Sequence, residues 1–381
     1  MEYRELGNTG LKTSVIAIGC EGFGQDNCAM APKLIDAAQE LGINYFDLYA
    51  SDPKVRAAVG KALKGRREKF IIQGHICSVW KNGQYMRTRK LDDVIKSFNE
   101  ELELLDTDYV DVGMIHYCDA MKDWEEIANN GILDYARQLK AEGKIRHIGM
   151  SSHNPLVAER AIREGGIEVL MFSVNPCYDL QPANEDVNEL WANKNYEKQL
   201  VNMDPDRERL YETCQRLGVA ITVMKAFGGG ELLQSNQIAG VSMTVNQCIG
   251  YALSRPGVCN VLAGAHNVEE LRKSAAYCDA SEEERDYASA LAAFPRVSWK
   301  GRCMYCSHCA PCPMVINVAE VTKFLHLAQA QGGVPETVRE HYAALEHHAG
   351  ECIRCGVCET RCPFGVHIRR NMAAAAGVFG Y

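Results

Sequence analysis

From residue 14 to about 277, short apolar runs alternate with longer stretches whose apolar positions recur three and four residues apart. The first pattern suits a buried strand and the second an amphipathic helix, so the chain reads as a succession of βα units. The predicted strands are "SVIAIG" (14–19), "NYFDLY" (44–49), "KFIIQGH" (69–75), "YVDVGMIH" (109–116), "IRHIGMS" (145–151), "VLMFSVN" (169–175), "VAITVMK" (219–225) and "CNVLAG" (259–264). Each precedes a predicted helix, such as "DDVIKSFNEELELL" (92–105) or "DRERLYETCQRLG" (206–218). Eight such units predict an α/β fold of the (β/α)8 TIM barrel type; an open doubly wound sheet is the alternative. In a barrel the C-terminal strand ends gather at one face, and polar residues there are the candidates for chemistry.

The connection 178–205 is too long for an ordinary strand-to-helix loop and is expected to cover the active face. "SEEERDYASALAAF" (281–294) opens with a Ser-x-x-Glu capping pattern and stops at Pro295, so it is expected to be the last helix before a boundary. The predicted division is a barrel over 1–295 and a smaller C-terminal domain over 296–381.

Composition changes this picture little. The chain has 381 residues, 47% hydrophobic and 24% charged, enough to bury a sizeable core. A net charge of −8 offers no basic field for a phosphate backbone, so no nucleic-acid partner is expected. No stretch has the roughly 18 apolar residues of a membrane span, and the start "MEYRELGNTG" has no apolar leader. No membrane partner and a cytoplasmic location are the expectations.

The seventeen cysteines change it more. Eight lie in two clusters, "CMYCSHCAPCP" (303–313) and "CIRCGVCETRCP" (352–363). The second has the Cys-x2-Cys-x2-Cys-x3-Cys-Pro spacing of a bacterial ferredoxin, and the first differs by one residue before its last cysteine. Structural zinc, which favours two Cys-x2-Cys pairs, has no use for the third cysteine or the Cys-Pro ending. Ligation is crossed in two-cluster ferredoxins. One [4Fe–4S] cluster is therefore expected on Cys303, Cys306, Cys309 and Cys362, the other on Cys352, Cys355, Cys358 and Cys312. The stretch between them is predicted helical, closer to an α-helical ferredoxin than to the βαβ type. The other nine cysteines have no ligand spacing and read as buried small hydrophobes, with Cys118 and Cys177 near a pocket.

Three predicted strand ends carry a polar constellation: Asp47 and Tyr49, then His75, then His116. A lone histidine at a strand end is usually structural, but four such groups on adjacent strands suit proton chemistry. A phenol acidifies only beside a cation or donor that favours its phenolate, the property a carbonyl reductase needs in its acid.

Here the chain resembles the aldo/keto reductases. "EYRELGNTGLKTSVIAIGCEGFG", "FDLYASDPKVRAAVGKAL", "TDYVDVGMIH" and "GKIRHIGMSSHN" lie in that family's order over residues 1 to about 280. The tail resembles the iron–sulfur extension of a bacterial and archaeal branch. The resemblance implies nicotinamide-dependent interconversion of a small carbonyl and its alcohol, with Tyr49 as general acid, His116 orienting the carbonyl and Asp47 supporting the acid. The family's lysine at the end of strand three is here His75. A lysine is cationic at neutral pH, whereas a histidine of reference pKa about 6.5 is mostly neutral, so catalysis should depend more on pH, or His75 should itself donate. Lys81 is a candidate to fold back in the lysine's place.

The same resemblance implies NADP(H) or NAD(H) contacts. Ser151 and Ser152 stand where the family has Ser-Asn, Met171 where it has glutamine, and Met224 near its stacking aromatic. Gly22, Asn175, Lys225, Phe227 and Gly228 are further implied contacts, as are Gly264, His266 and Asn267 in "GAHNVEEL" (264–271). Glycines let backbone N–H groups approach a pyrophosphate. Iron–sulfur clusters move single electrons and nicotinamide moves a hydride, so a ferredoxin or other electron carrier is an expected partner. Two other functions fit the residues: a ferredoxin-fed reductive enzyme without nicotinamide, and a non-catalytic redox-sensing subunit.

Overall fold

The computed structural model describes residues 1–23, 28–186, 189–190, 200–201, 203–234, 242–293, 297–298 and 301–381. Its strands are β1 (Tyr3–Glu5), β2 (Lys12–Ser14), β3 (Ile16–Ile18), β4 (Tyr45–Leu48), β5 (Ile71–Ile76), β6 (Ser78–Lys81), β7 (Gln84–Arg87), β8 (Val110–Ile115), β9 (Ile145–Ser152), β10 (Val169–Ser173), β11 (Leu200–Val201), β12 (Ala220–Met224), β13 (Val258–Ala263) and β14 (Val297–Ser298). Strands β3, β4, β5, β8, β9, β10, β12 and β13 close into a parallel barrel in that order, one for each predicted run. The open-sheet alternative is thereby removed.

The side-chain period of two sorts residues between two cores. Tyr45, Ile71, Val112, Met114, Val169 and Met171 fill the barrel interior, whereas Phe46, Leu48, Ile72, Ile76, Ile115 and Phe172 face the helices. The antiparallel pair β1–β2 lies at the N-terminal end, and its turn places Leu6 in the interior cluster. Gly7 has a φ of 55°, and a β-carbon there would collide with the Gly218 carbonyl oxygen, so the turn seats closely on that loop.

A second antiparallel pair, β6–β7, follows β5 directly. Asn82 and Gly83 form its turn with φ of 55° and 74°, the left-handed pair that a two-residue hairpin requires. Behind β5 the buried guanidinium of Arg56, on helix Pro53–Leu63, pairs at 2.9 Å with Glu101 on helix Leu91–Leu105.

The expected last barrel helix is shorter than its pattern. Ser281 and Glu284 do bond reciprocally, but they close a turn, and Asp286 caps a helix over Tyr287–Ala292. The predicted boundary at 295/296 lies outside the described residues, as do residues 187–188, 191–199 and 202 of the long connection. The C-terminal segment contains helices Val318–Ala330, Glu336–Ala343, Val357–Arg361 and Ile368–Phe379. It meets the barrel where Arg255 and the Tyr287 hydroxyl both donate to the Met304 carbonyl, each at 2.7 Å. No helix among the described residues is long and apolar enough to cross a membrane.

Candidate active site

The inward register that places Tyr45 in the barrel also turns Asp47 inward, and the same step along β5 presents Ile71, Gln73 and His75. Tyr49 and His116 come one step beyond the last residues of β4 and β8. The polar row begins where the Tyr45 hydroxyl and the Thr222 hydroxyl donate to Gln73 Oε1 at 2.7 and 3.2 Å. That fixes the amide orientation, and Gln73 Nε2 donates to Asp47 Oδ1 at 2.5 Å. His75 Nε2 lies 2.8 Å from the same Asp47 oxygen, and His75 Nδ1 lies 2.7 Å from His116 Nδ1. His116 Nε2 lies 2.5 Å from the Tyr85 hydroxyl.

With Asp47 ionised, one proton arrangement satisfies every contact with both rings neutral. The ionised Asp47 accepts from His75 Nε2–H; His75 Nδ1 then accepts from His116 Nδ1–H; and His116 Nε2 accepts from the Tyr85 hydroxyl. Burial holds His116 well below the usual histidine range, and the neighbouring charges of Arg89 and Arg87 add to it. Burial also raises the Tyr85 phenol, against Arg87 and Arg89, which keeps the proton on its oxygen.

The row opens into a cavity of about 380 Å³ lined by Asp47, Tyr49, Tyr85, His116, His153 and Met171, among others. The Tyr49 ring lies nearly parallel to His116, interplanar angle 5° and centroids 6.1 Å apart, and 6.3 Å from Tyr85. The structure thus brings together Asp47, Tyr49, His75 and His116. Lys81 does not take the place of the family's lysine: its ammonium is exposed and pairs with Asp93 at 3.4 Å.

The residues implied as cofactor contacts divide. Ser151, Lys225 and Gly228 line the cavity, as does Met171. Ser152 is buried, its hydroxyl donating to Asp119 at 3.1 Å, and Asn175 is buried with its amide donating to the Lys225 carbonyl at 2.9 Å and its oxygen accepting from the backbone of Cys177 and Tyr178. Phe227 is half-buried. Gly22 and Gly264 to Asn267 form a neighbouring group: a β-carbon at Gly22 would collide with the Ala265 carbonyl oxygen, and Asn267 caps helix Val268–Ala275. Gly229 and Gly230 have left-handed φ of 70° and 96°, and a β-carbon at either would meet nothing.

Sequence reasoning passed over Tyr85, Tyr117, His153 and Tyr178, all of which line the cavity. Asn82-Gly83 was the signal that could have found Tyr85, because a hairpin there folds back over the end of β5.

In the C-terminal segment, Cys312, Cys352, Cys355 and Cys358 line one small cavity. Cys303 lies within electrostatic reach of Cys306, Cys309 and Cys362. Cys309 in turn lies within reach of Cys306, Cys358 and Cys362, so the two groups of cysteines adjoin. Among the described residues no three His, Cys, Asp or Glu side chains are gathered around a point for a single metal ion. Tyr305, Ser307 and Arg354, next to the cysteines, have left-handed φ of 57°, 62° and 56°; such non-glycine conformations cost about 1–3 kcal/mol each and concentrate at functional sites. The residues present therefore fit clusters held by four thiolates each.

Comparison with known proteins gives the family. Residues 15–246 match the aldo/keto reductase family, and residues 302–367 match a 4Fe-4S dicluster domain. The chain is 26% identical to the uncharacterized oxidoreductase YqkF of Bacillus subtilis over 72% of this chain and 90% of that protein. It is 30% identical to the aldo-keto reductase YhdN of Bacillus subtilis over 40% of this chain and 47% of that protein. Its fold is similar to the holo form of an aldo-keto reductase from Bacillus halodurans, with a TM-score of 0.58, 23% identity, and coverage of 75% of this chain and 95% of that one.

Proposed function

Because this chain belongs to the aldo/keto reductase family, we propose that it is an oxidoreductase interconverting a small carbonyl compound and its alcohol at the barrel mouth. NAD(P) is the hydride carrier in this reading, and the C-terminal segment carries two [4Fe–4S] clusters on the cysteine sets given above. The observation that carries it is the hydrogen-bonded row Tyr85, His116, His75 and Asp47 ending in a cavity also lined by Tyr49. When bound, nicotinamide would supply or accept the hydride, and the clusters would supply single-electron transfer. Ser151, Lys225 and the Gly228 turn would hold the nicotinamide end, and Gly22 with Gly264, His266 and Asn267 the remainder.

The row has a direction. Its proton arrangement presents an acceptor, His116 Nε2, to the cavity once the Tyr85 hydroxyl swings aside. An alcohol proton passes to His116 Nε2, the His116 Nδ1 proton to His75 Nδ1, and the His75 Nε2 proton to Asp47. Carbonyl reduction runs the same steps in reverse from a row holding one more proton, or takes its proton from the Tyr49 phenol. Burial holds His116 neutral, so its Nε2 is available at neutral pH as the acceptor that alcohol oxidation needs.

The test is anaerobic turnover with NAD(P) and a panel of carbonyl compounds and alcohols. Tyr49→Phe is expected to lower kcat/KM for reduction by about 10²–10⁴, the usual contribution of a positioned general acid. Full activity in that variant removes Tyr49 from the role.

A ferredoxin-fed reductive enzyme is the second reading, favoured by His75 in the lysine's place and by Ser152 and Asn175 being committed to the scaffold. Turnover with reduced ferredoxin and none with nicotinamide selects it.

A further inference from the structure

A second cavity, of about 600 Å³, lies at the opposite end of the barrel from the row just described. Its walls are the β1 strand, the turns leading into β12 and β13, and helix Val318–Ala330 of the C-terminal segment. Arg4, Arg216, Arg255 and Lys323 line it, against the two carboxylates Glu5 and Glu320. None of the four cations forms a salt bridge among the described residues. Glu320 is already engaged, accepting from the Asn317 side chain at 2.9 Å.

Arg255 is 2% exposed, and its Nε is buried without a hydrogen-bond partner. One of its terminal nitrogens reaches the Ser254 hydroxyl at 2.8 Å and the Met304 carbonyl at 2.7 Å, which fixes the guanidinium in place. Lys323 stands in the field of Arg4 and Arg255; burial first, and then those two charges, hold its ammonium below the usual lysine range against the pull of Glu320. Gathering four cations against two carboxylates in a partly desolvated pocket is unfavourable by itself and becomes favourable when an anion enters. The volume exceeds what an inorganic ion needs, and Phe324, Leu327 and Val338 give part of the wall an apolar surface suited to an organic body.

We propose that this cavity binds a small organic anion, of phosphate or carboxylate type, between the barrel floor and the cluster-bearing segment. Tyr305 and Ser307 alternate with Cys303, Cys306 and Cys309 along the chain and also line it, so occupancy is communicated to the loop that holds the first cluster. Nothing in this site depends on the reaction at the other face.

The experiment is anaerobic thermal unfolding and calorimetric titration of the holoprotein with inorganic phosphate and, separately, citrate, each against sodium chloride at matched ionic strength. Either anion is expected to raise Tm and sodium chloride not. Lys323→Gln is expected to weaken binding about tenfold while leaving the anion-free Tm unchanged or higher, because it removes a cation from among cations. Should that variant fail to fold, Arg216→Gln is measured in its place, with the same expectation for binding. Tighter binding of phosphate assigns the phosphate type, and of citrate the carboxylate type. Absence of binding, equal affinity in the variant, or a salt effect reproduced by sodium chloride overturns the proposal; the second outcome would show that the anion binds elsewhere on the protein.

Discussion

His75 differs from the lysine it replaces in what it can pass on. A lysine at that position holds a fixed charge, whereas an imidazole between Asp47 and His116 has one nitrogen for each and can receive a proton on one side while releasing another. The four strand-end residues were legible because alternation along β4, β5 and β8 assigns them all to the interior. Their order was not, because hydrogen bonds between residues 28 and 41 positions apart have no trace in spacing. Tyr85→Phe tests the outer end: losing its hydrogen bond is expected to change kcat/KM by about tenfold, less than the loss expected at Tyr49. The pH dependence has a definite sign. Folding holds His116 neutral, while the unfolded chain's histidine binds a proton near pH 6.5, so the unfolded state takes up one more proton below that value. Stability is therefore lost as pH falls through about 6.5, and Tm measured from pH 8 to 5 should fall less steeply in His116→Gln than in the wild type.

Among the elements, the eight barrel strands could be read almost to their ends, since each is a buried run bounded by polar turns. The helix expected over 281–294 could not, because Asp286 accepts from the Ala288 and Ser289 amides at 2.9 and 3.0 Å and takes over the cap, leaving Ser281 and Glu284 to close the turn before it. The β6–β7 hairpin was overlooked although Asn82-Gly83 is a strong turn signal. Behind β5, the Arg56–Glu101 pair ties two helices to the strand that bears His75, and burial raises the Glu101 carboxyl against the pull of Arg56. Removing one partner strands the other charge, so Arg56→Met is expected to destabilise by about 3–5 kcal/mol in denaturant titration. Replacing both together with apolar residues should cost less than either single change suggests.

For the whole molecule, the joining of a barrel to a cluster-bearing segment was evident from cysteine spacing, and the cavity at their junction was not. Arg4, Arg216, Arg255 and Lys323 come from four separate stretches and meet only when the segment packs beneath the barrel. Crossed ligation can be checked on the intact chain. In a protein whose Cys303, Cys306 and Cys309 are replaced by serine, a further Cys362→Ser should leave iron content unchanged, while Cys312→Ser should perturb the remaining cluster's electron paramagnetic resonance. The reverse result assigns the fourth ligands without crossing.

The most direct test of the proton row is kcat/KM for alcohol oxidation at pH 7, measured anaerobically with NAD(P)+ on the wild type and Asp47→Asn. If Asp47 is the end of the row, the variant keeps its fold and loses about 10²–10⁴ in kcat/KM. A folded variant that retains the wild-type value within about twofold, far below the usual contribution of an acid–base group, contradicts the account.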